Sequence, residues 1–216
     1  MLNYYAARTA TLLLLLASFS CGSKDYVPKN VTQYNFLEIK KSYPDTLVSH
    51  FPKDLFLMSG YVYESGEDAG NVRLQLNLEL DSEAINTLSE ALNGSSIAKY
   101  QADDSCLLIV NRFLRLTEWG FKNTFQSAKS RPINCSGYYL PVPNFWQNIN
   151  AKNGQMSNRL PKDYTIYVLE ANASRVTDSA DRNVGEYLPE EWKEGYSKGV
   201  AINRSDGSAI YWFIAW

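Results

Sequence analysis

Histidine is nearly missing from this chain: His50 is the only one in 216 residues. That scarcity excludes a two-histidine zinc site, an HExxH helix and a histidine-rich facial triad. A Ser-His-Asp arrangement would have to use His50, which precedes Phe51 and Pro52 and lies near no G-x-S-x-G elbow. A helix-end or partly buried histidine is expected instead. Charge of one sign is lacking too. With 21 basic and 23 acidic residues and a formal net charge of −2, the chain offers no basic face for nucleic acid and no polybasic patch for anionic lipid. Glycine, serine and proline never gather into a linker, no internal repeat is visible, and the apolar run Leu12 to Ala17 falls far short of the roughly 20 residues of a membrane helix.

What is there begins at the N-terminus. One basic residue, Arg8, precedes the run Leu12 to Leu16, then Ala17, Ser18, Phe19, Ser20 and Cys21. A short charged region, a brief apolar core, small residues and a cysteine make an export signal. The segment resembles the signal peptide of bacterial lipoproteins, in which the cysteine after the apolar region is lipidated and becomes the mature N-terminus. Ser18 and Phe19 stand where the strict pattern has an aliphatic and a small residue, and Ser18 with Ser20 also satisfies the small-x-small rule for ordinary secretory cleavage at the same bond. Either route removes residues 1–20.

The resemblance implies acylation of Cys21 and attachment to a membrane of the cell envelope, the outer membrane being the expected one. More than one acyl chain on that cysteine would hold the protein firmly. Residues 21–33 read as a polar tether and residues 34–216 as one globular domain of ordinary size. With Cys21 consumed, Cys106 and Cys135 remain as an even pair in an exported protein, expected to form one disulfide. Closing a loop of about thirty residues would contribute roughly 3–4 kcal/mol.

The strongest strand signal is Val72, Leu74, Leu76, Leu78 and Leu80 alternating with Arg73, Gln75, Asn77 and Glu79. This period of two predicts one face on a core and one in water. Leu55 to Tyr63 precedes it across a turn at 64–71, which makes a hairpin. Asp81 or Ser82 is expected to cap a helix carrying Ile85, Leu88 and Leu92, closed by Asn93 and Gly94. Cys106 to Val110 and Tyr164 to Leu169 read as strands, and Pro189 to Trp192 as a short helix. A second hairpin pairs Val200 to Asn203 with Ile210 to Trp216 around Asp206-Gly207. Because both faces of its last strand are apolar, that strand is expected to be central. Strands and helices in mixed order predict an α+β fold with a mixed, largely antiparallel sheet.

Three acid clusters could supply the carboxylate pair of an envelope hydrolase: Glu64, Glu67 and Asp68; Asp103 and Asp104; Asp178, Asp181 and Glu186. Solvated loops account for all three, and the last lacks the spacing of a calcium loop. No metal, cofactor or catalytic residue is expected. Aromatic residues are the richer resource. Tyr138, Tyr139, Phe145 and Trp146 lie in a loop stiffened by Pro141 and Pro143 and could present flat surface to a glycan or a protein partner. The expected role is therefore non-catalytic binding at the envelope. The alternatives are a carboxylate-based hydrolase and a structural or inhibitory component of an envelope complex.

Overall fold

The computed structural model describes residues 31–65, 71–110, 135, 139–145, 160–176 and 188–216. Six strands form one antiparallel sheet: β1 (Met58–Glu64), β2 (Val72–Glu79), β3 (Ala98–Gln101), β4 (Thr165–Asn172), β5 (Tyr196–Asn203) and β6 (Ser208–Ala215). Their spatial order is β1-β2-β6-β5-β4-β3, so the fold is α+β and the C-terminal strand is central, as its doubly apolar sequence predicts. β5 and β6 make the expected hairpin, with Asn203 opposite Ser208. Gly207 takes a φ of +74° at the bend, and the Asn203 side chain accepts from both the backbone N–H and the hydroxyl of Ser205.

Two cores lie on the two faces of this sheet. On one face Leu74, Leu76 and Leu78 of β2 join Tyr211 and Phe213 of β6 and Val200 and Ile202 of β5, beneath helices α1 (Val31–Lys41), α2 (Asp45–Val48) and α3 (Ser82–Ser95). α3 begins where expected: the Asp81 carboxylate accepts from the Ala84 N–H at 2.8 Å, and Ile85 and Leu92 are buried. Gly94 lies inside its last turn rather than beyond it. On the opposite face Ile210, Trp212, Ile214 and Trp216 pack with Ile166 and Val168 of β4 and with Val142, Phe145 and Leu160 from connecting segments.

The second core corrects the reading of β2. Alternation places its polar row in water, yet Arg73 and Gln75 are buried, because a layer of connecting chain including Asn144 and Phe145 lies on that face. Cys106 to Val110 forms no strand; it makes a single parallel bridge, Ile109 with Val142. The expected boundary between tether and domain at residue 34 falls inside a helix. Val31 to Gln33 belong to α1, where Gln33 is buried and donates to the Leu55 carbonyl at 2.7 Å. Pro189 to Trp192 shrinks to one 3-10 turn, Glu190–Trp192. Among the described residues no helix is long and apolar enough to cross a membrane.

Candidate functional site

Of the four loop aromatics, the two described residues, Tyr139 and Phe145, face different partners. Phe145 is a core residue, 3% exposed, with its ring edge-on to Trp212 at 5.0 Å, so it offers no surface to a partner from outside. Tyr138 and Trp146 lie outside the described residues. Tyr139 is partly exposed and stacks almost parallel on Tyr100 of β3, centroids 4.4 Å apart at 6°. β3 is an edge strand, so the pair sits at one rim of the sheet.

Local hydrogen bonding fixes this pair. Asp104 Oδ1 accepts from the Cys106 N–H at 2.8 Å, which turns the chain sharply after β3. Its other oxygen accepts from the Tyr139 hydroxyl at 3.0 Å. The Leu140 N–H donates to the Tyr100 hydroxyl at 2.9 Å. Farther along, the Val110 N–H donates to the Val142 carbonyl and the Val142 N–H to the Leu108 carbonyl. Cys106 and Cys135 are joined as expected, their Cα atoms 5.7 Å apart. The hydrogen bond to Asp104 raises the Tyr139 phenol above its ordinary pKa, and burial does the same for Tyr100. Both hydroxyls therefore stay protonated. Asp104 uses one lone pair on each oxygen and keeps acceptor capacity beside the stacked rings.

Of the acid clusters, Glu64 is bound to Arg73 at 2.9 Å. Asp104 holds the tyrosine pair, and Asp103 is exposed. Glu67, Asp68, Asp178, Asp181 and Glu186 lie outside the described residues. Among the described residues no group of three His, Cys, Asp or Glu side chains could hold a metal.

His50 sits just past α2, as a helix-end histidine, and its Nε2 donates to the Trp212 carbonyl at 2.8 Å while Nδ1 is sealed from solvent. Burial pushes its pKa down to about 4, against the raising effect of that hydrogen bond. The unfolded chain, near 6.5, binds the proton more readily. Stability from this group is therefore complete above pH 6.5 and is lost as pH falls toward 4, by about 3 kcal/mol over the window. Urea melts at pH 7 and 4.5 should show a smaller difference for His50→Gln than for the parent. An equal difference would assign the acid sensitivity to carboxylates.

Sequence reasoning missed a second polar group, on the helix-covered face. Lys198 of β5 is nearly buried and donates to the Thr46 carbonyl at 2.5 Å and to Glu170 of β4 at 2.7 Å. Tyr196 also donates to Glu170, and these two hydrogen bonds, that of Lys198 first, hold the carboxyl below its usual range. The network ties α2 to the sheet. A lysine two residues before the apolar run Val200 to Ile202 is the signal that could have flagged it.

Comparison with protein-family models, with curated proteins and with solved structures finds no match to this chain.

Proposed function

We propose that the protein is an envelope lipoprotein, acylated at Cys21 and anchored to a membrane, whose domain binds a glycan without catalysis at the Tyr100–Tyr139 pair. The support for the anchor is the order of Arg8, the leucine run, the small residues and Cys21. The support for the binding role is a single observation: two stacked tyrosines, fixed by Asp104 and by the Leu140 amide at the sheet rim. Such a platform offers a flat apolar ring to the C–H face of a sugar, and the spare lone pairs of Asp104 can accept from sugar hydroxyls. Ordering the rings in advance reduces the entropy lost on binding.

Peptide mass spectrometry of protein purified from its native membrane tests the anchor, an acylated Cys21 being the expected result and an intact Met1 terminus the contrary one. For the platform, cell-wall sacculi and soluble N-acetylglucosamine oligomers are the probes. Tyr139→Ala should weaken binding about tenfold, the loss of roughly 1.4 kcal/mol expected of one stacking ring, while the protein stays folded at the assay temperature. Unchanged affinity in that variant would remove the pair from the site.

A further inference from the structure

Large apolar side chains left in water are few among the described residues, and they are not scattered. Val31 (75% exposed), Tyr34 (54%), Phe56 and Leu57 (50% each) and Tyr63 are five of the six, Ile97 being the sixth. All five belong to α1 and to the chain that leads into and forms β1. Val31 and Tyr34 recur three residues apart on the outer stripe of α1, while Gln33 and Phe36 are turned inward and buried. The Gln33 side chain reaches the Leu55 carbonyl at 2.7 Å, and the Phe36 ring meets Tyr61 of β1 edge-on at 5.9 Å. This end of the helix therefore lies against the segment 55–61. Asp54 Oδ1 accepts from the Phe56 N–H at 2.9 Å, which fixes the turn that presents Phe56 and Leu57.

Apolar area grouped in this way marks a surface that something covers. What covers it follows from where the chain leads. Nine residues, 22–30, separate Cys21 from α1. Even fully extended, the stretch from Cys21 to Val31 reaches no more than about 35 Å. A domain of this size has a radius of gyration of about 16 Å and is roughly 40 Å across. The end of α1 that carries Val31 and Tyr34 is therefore held closer to an acyl chain on Cys21 than the width of the domain. Confinement of that order raises the effective concentration of the surface at the bilayer, so that a contact too weak to recruit a free protein is populated.

We infer that this surface, Val31 and Tyr34 of α1 with Phe56 and Leu57 before β1, rests on the lipid bilayer and holds the domain in one orientation. The inference rests on the reading of Cys21 as the lipid anchor. Charge favours contact through apolar side chains over attraction to anionic lipid: Glu38 and Lys41 of α1 pair at 2.8 Å, and Lys53 is followed by Asp54. Aliphatic side chains and phenyl rings with a tyrosine among them suit the zone between headgroups and acyl chains, where the ring is buried and the hydroxyl stays wet. Orientation has a consequence for the rest of the domain. β1 and β3 are the two edges of the sheet, five strand spacings or about 24 Å apart. Contact beside β1 therefore turns the Tyr100–Tyr139 rim away from the membrane, toward the glycan of the envelope.

The test uses the protein purified from its native membrane and reconstituted in vesicles of phosphatidylethanolamine and phosphatidylglycerol that carry a photoactivatable diazirine in the acyl chain. After illumination, peptide mass spectrometry should find lipid adducts on the peptides containing Val31 and Tyr34 and containing Phe56 and Leu57, and few on those containing Tyr100 and Tyr139. Phe56→Glu combined with Leu57→Glu should lower the adducts at Val31 and Tyr34 about tenfold, although neither of those residues is changed. If that double variant does not fold, Val31→Glu read at Phe56 and Leu57 carries the comparison. On protein acylated at Cys21, adducts confined to residues 21–30 or spread evenly over the domain would overturn the proposal and leave the anchor standing. Cross-links between two copies at Tyr34 or Phe56 in place of lipid adducts would also overturn it, giving the surface to a second copy of the chain. An unmodified Cys21 in the same spectra would remove the anchor and this inference with it.

Discussion

Glu64→Ala is expected to lower the free energy of unfolding by about 3–5 kcal/mol, because it leaves a guanidinium charged and unpaired in the protein interior. Arg73 is 1% exposed, and burial already pushes its pKa down while Glu64 pushes it up. Glu64 is only partly buried, so its own desolvation is the smaller part of the balance. Arg73→Met removes the charge, keeps much of the volume, and should therefore cost less than Glu64→Ala. Urea unfolding of both variants checks the order. The reverse order would mean that Glu64 loses more by staying behind than Arg73 does, placing the dominant desolvation on the carboxylate.

The same pair shows what the sequence made legible. Alternation in Val72 to Glu79 correctly groups Leu74, Leu76 and Leu78 on one face and Arg73 and Gln75 on the other. It cannot say what lies beyond each face, because the cover over Arg73 comes from Asn144, 71 residues away. The last strand was readable for the opposite reason: with Tyr211, Phe213 and Ala215 on one side and Trp212, Ile214 and Trp216 on the other, both faces had to be covered whatever covers them.

Other elements carried too little local pattern. α1 has no acid in its first turn and, of its apolar residues, only Phe36 is fully buried, so its helical period is faint. β3 is four residues long, too short for alternation to register. Cys106 to Val110 has the composition of a strand, but a strand needs a partner, and only Ile109 finds one. For the candidate site, prolines and tyrosines in one loop pointed to Tyr139. Its anchor Asp104 lies 35 residues earlier and its stacking partner Tyr100 is on a different element, so their meeting is a property of the fold. Phe145 misled because sequence gives the stiffness of a loop and not the side on which its rings fall.

Gly199→Ala should be the most damaging single change in the sheet. β5 lies between β6 and β4, and Gly199 faces Trp212 on one neighbour and Val168 on the other. A Cβ at this position would stand 2.2 Å from the Tyr167 carbonyl oxygen and 2.5 Å from both Cη2 and Cζ2 of Trp212. Neither can yield: the oxygen belongs to the backbone of β4, and the indole is fully buried against Phe145. Strand separation is the remaining response, with an expected loss of about 4 kcal/mol or more, the exceptional end of point mutations. Against a total of roughly 5–15 kcal/mol for an ordinary domain, the variant should express as insoluble or unfolded protein. Gly60→Ala on edge strand β1 is the control, since nothing lies within 4 Å of its Cβ, and it should stay within about 0.5 kcal/mol of the parent. Adding Trp212→Leu to Gly199→Ala removes the ring contacts but not the carbonyl, so solubility should return only in part. Full recovery would put the whole clash on the indole, and no recovery would put it on the backbone. The missing side chain at position 199 is thus what lets the Trp212 ring lie across β5, on the same face as the polar row of β2.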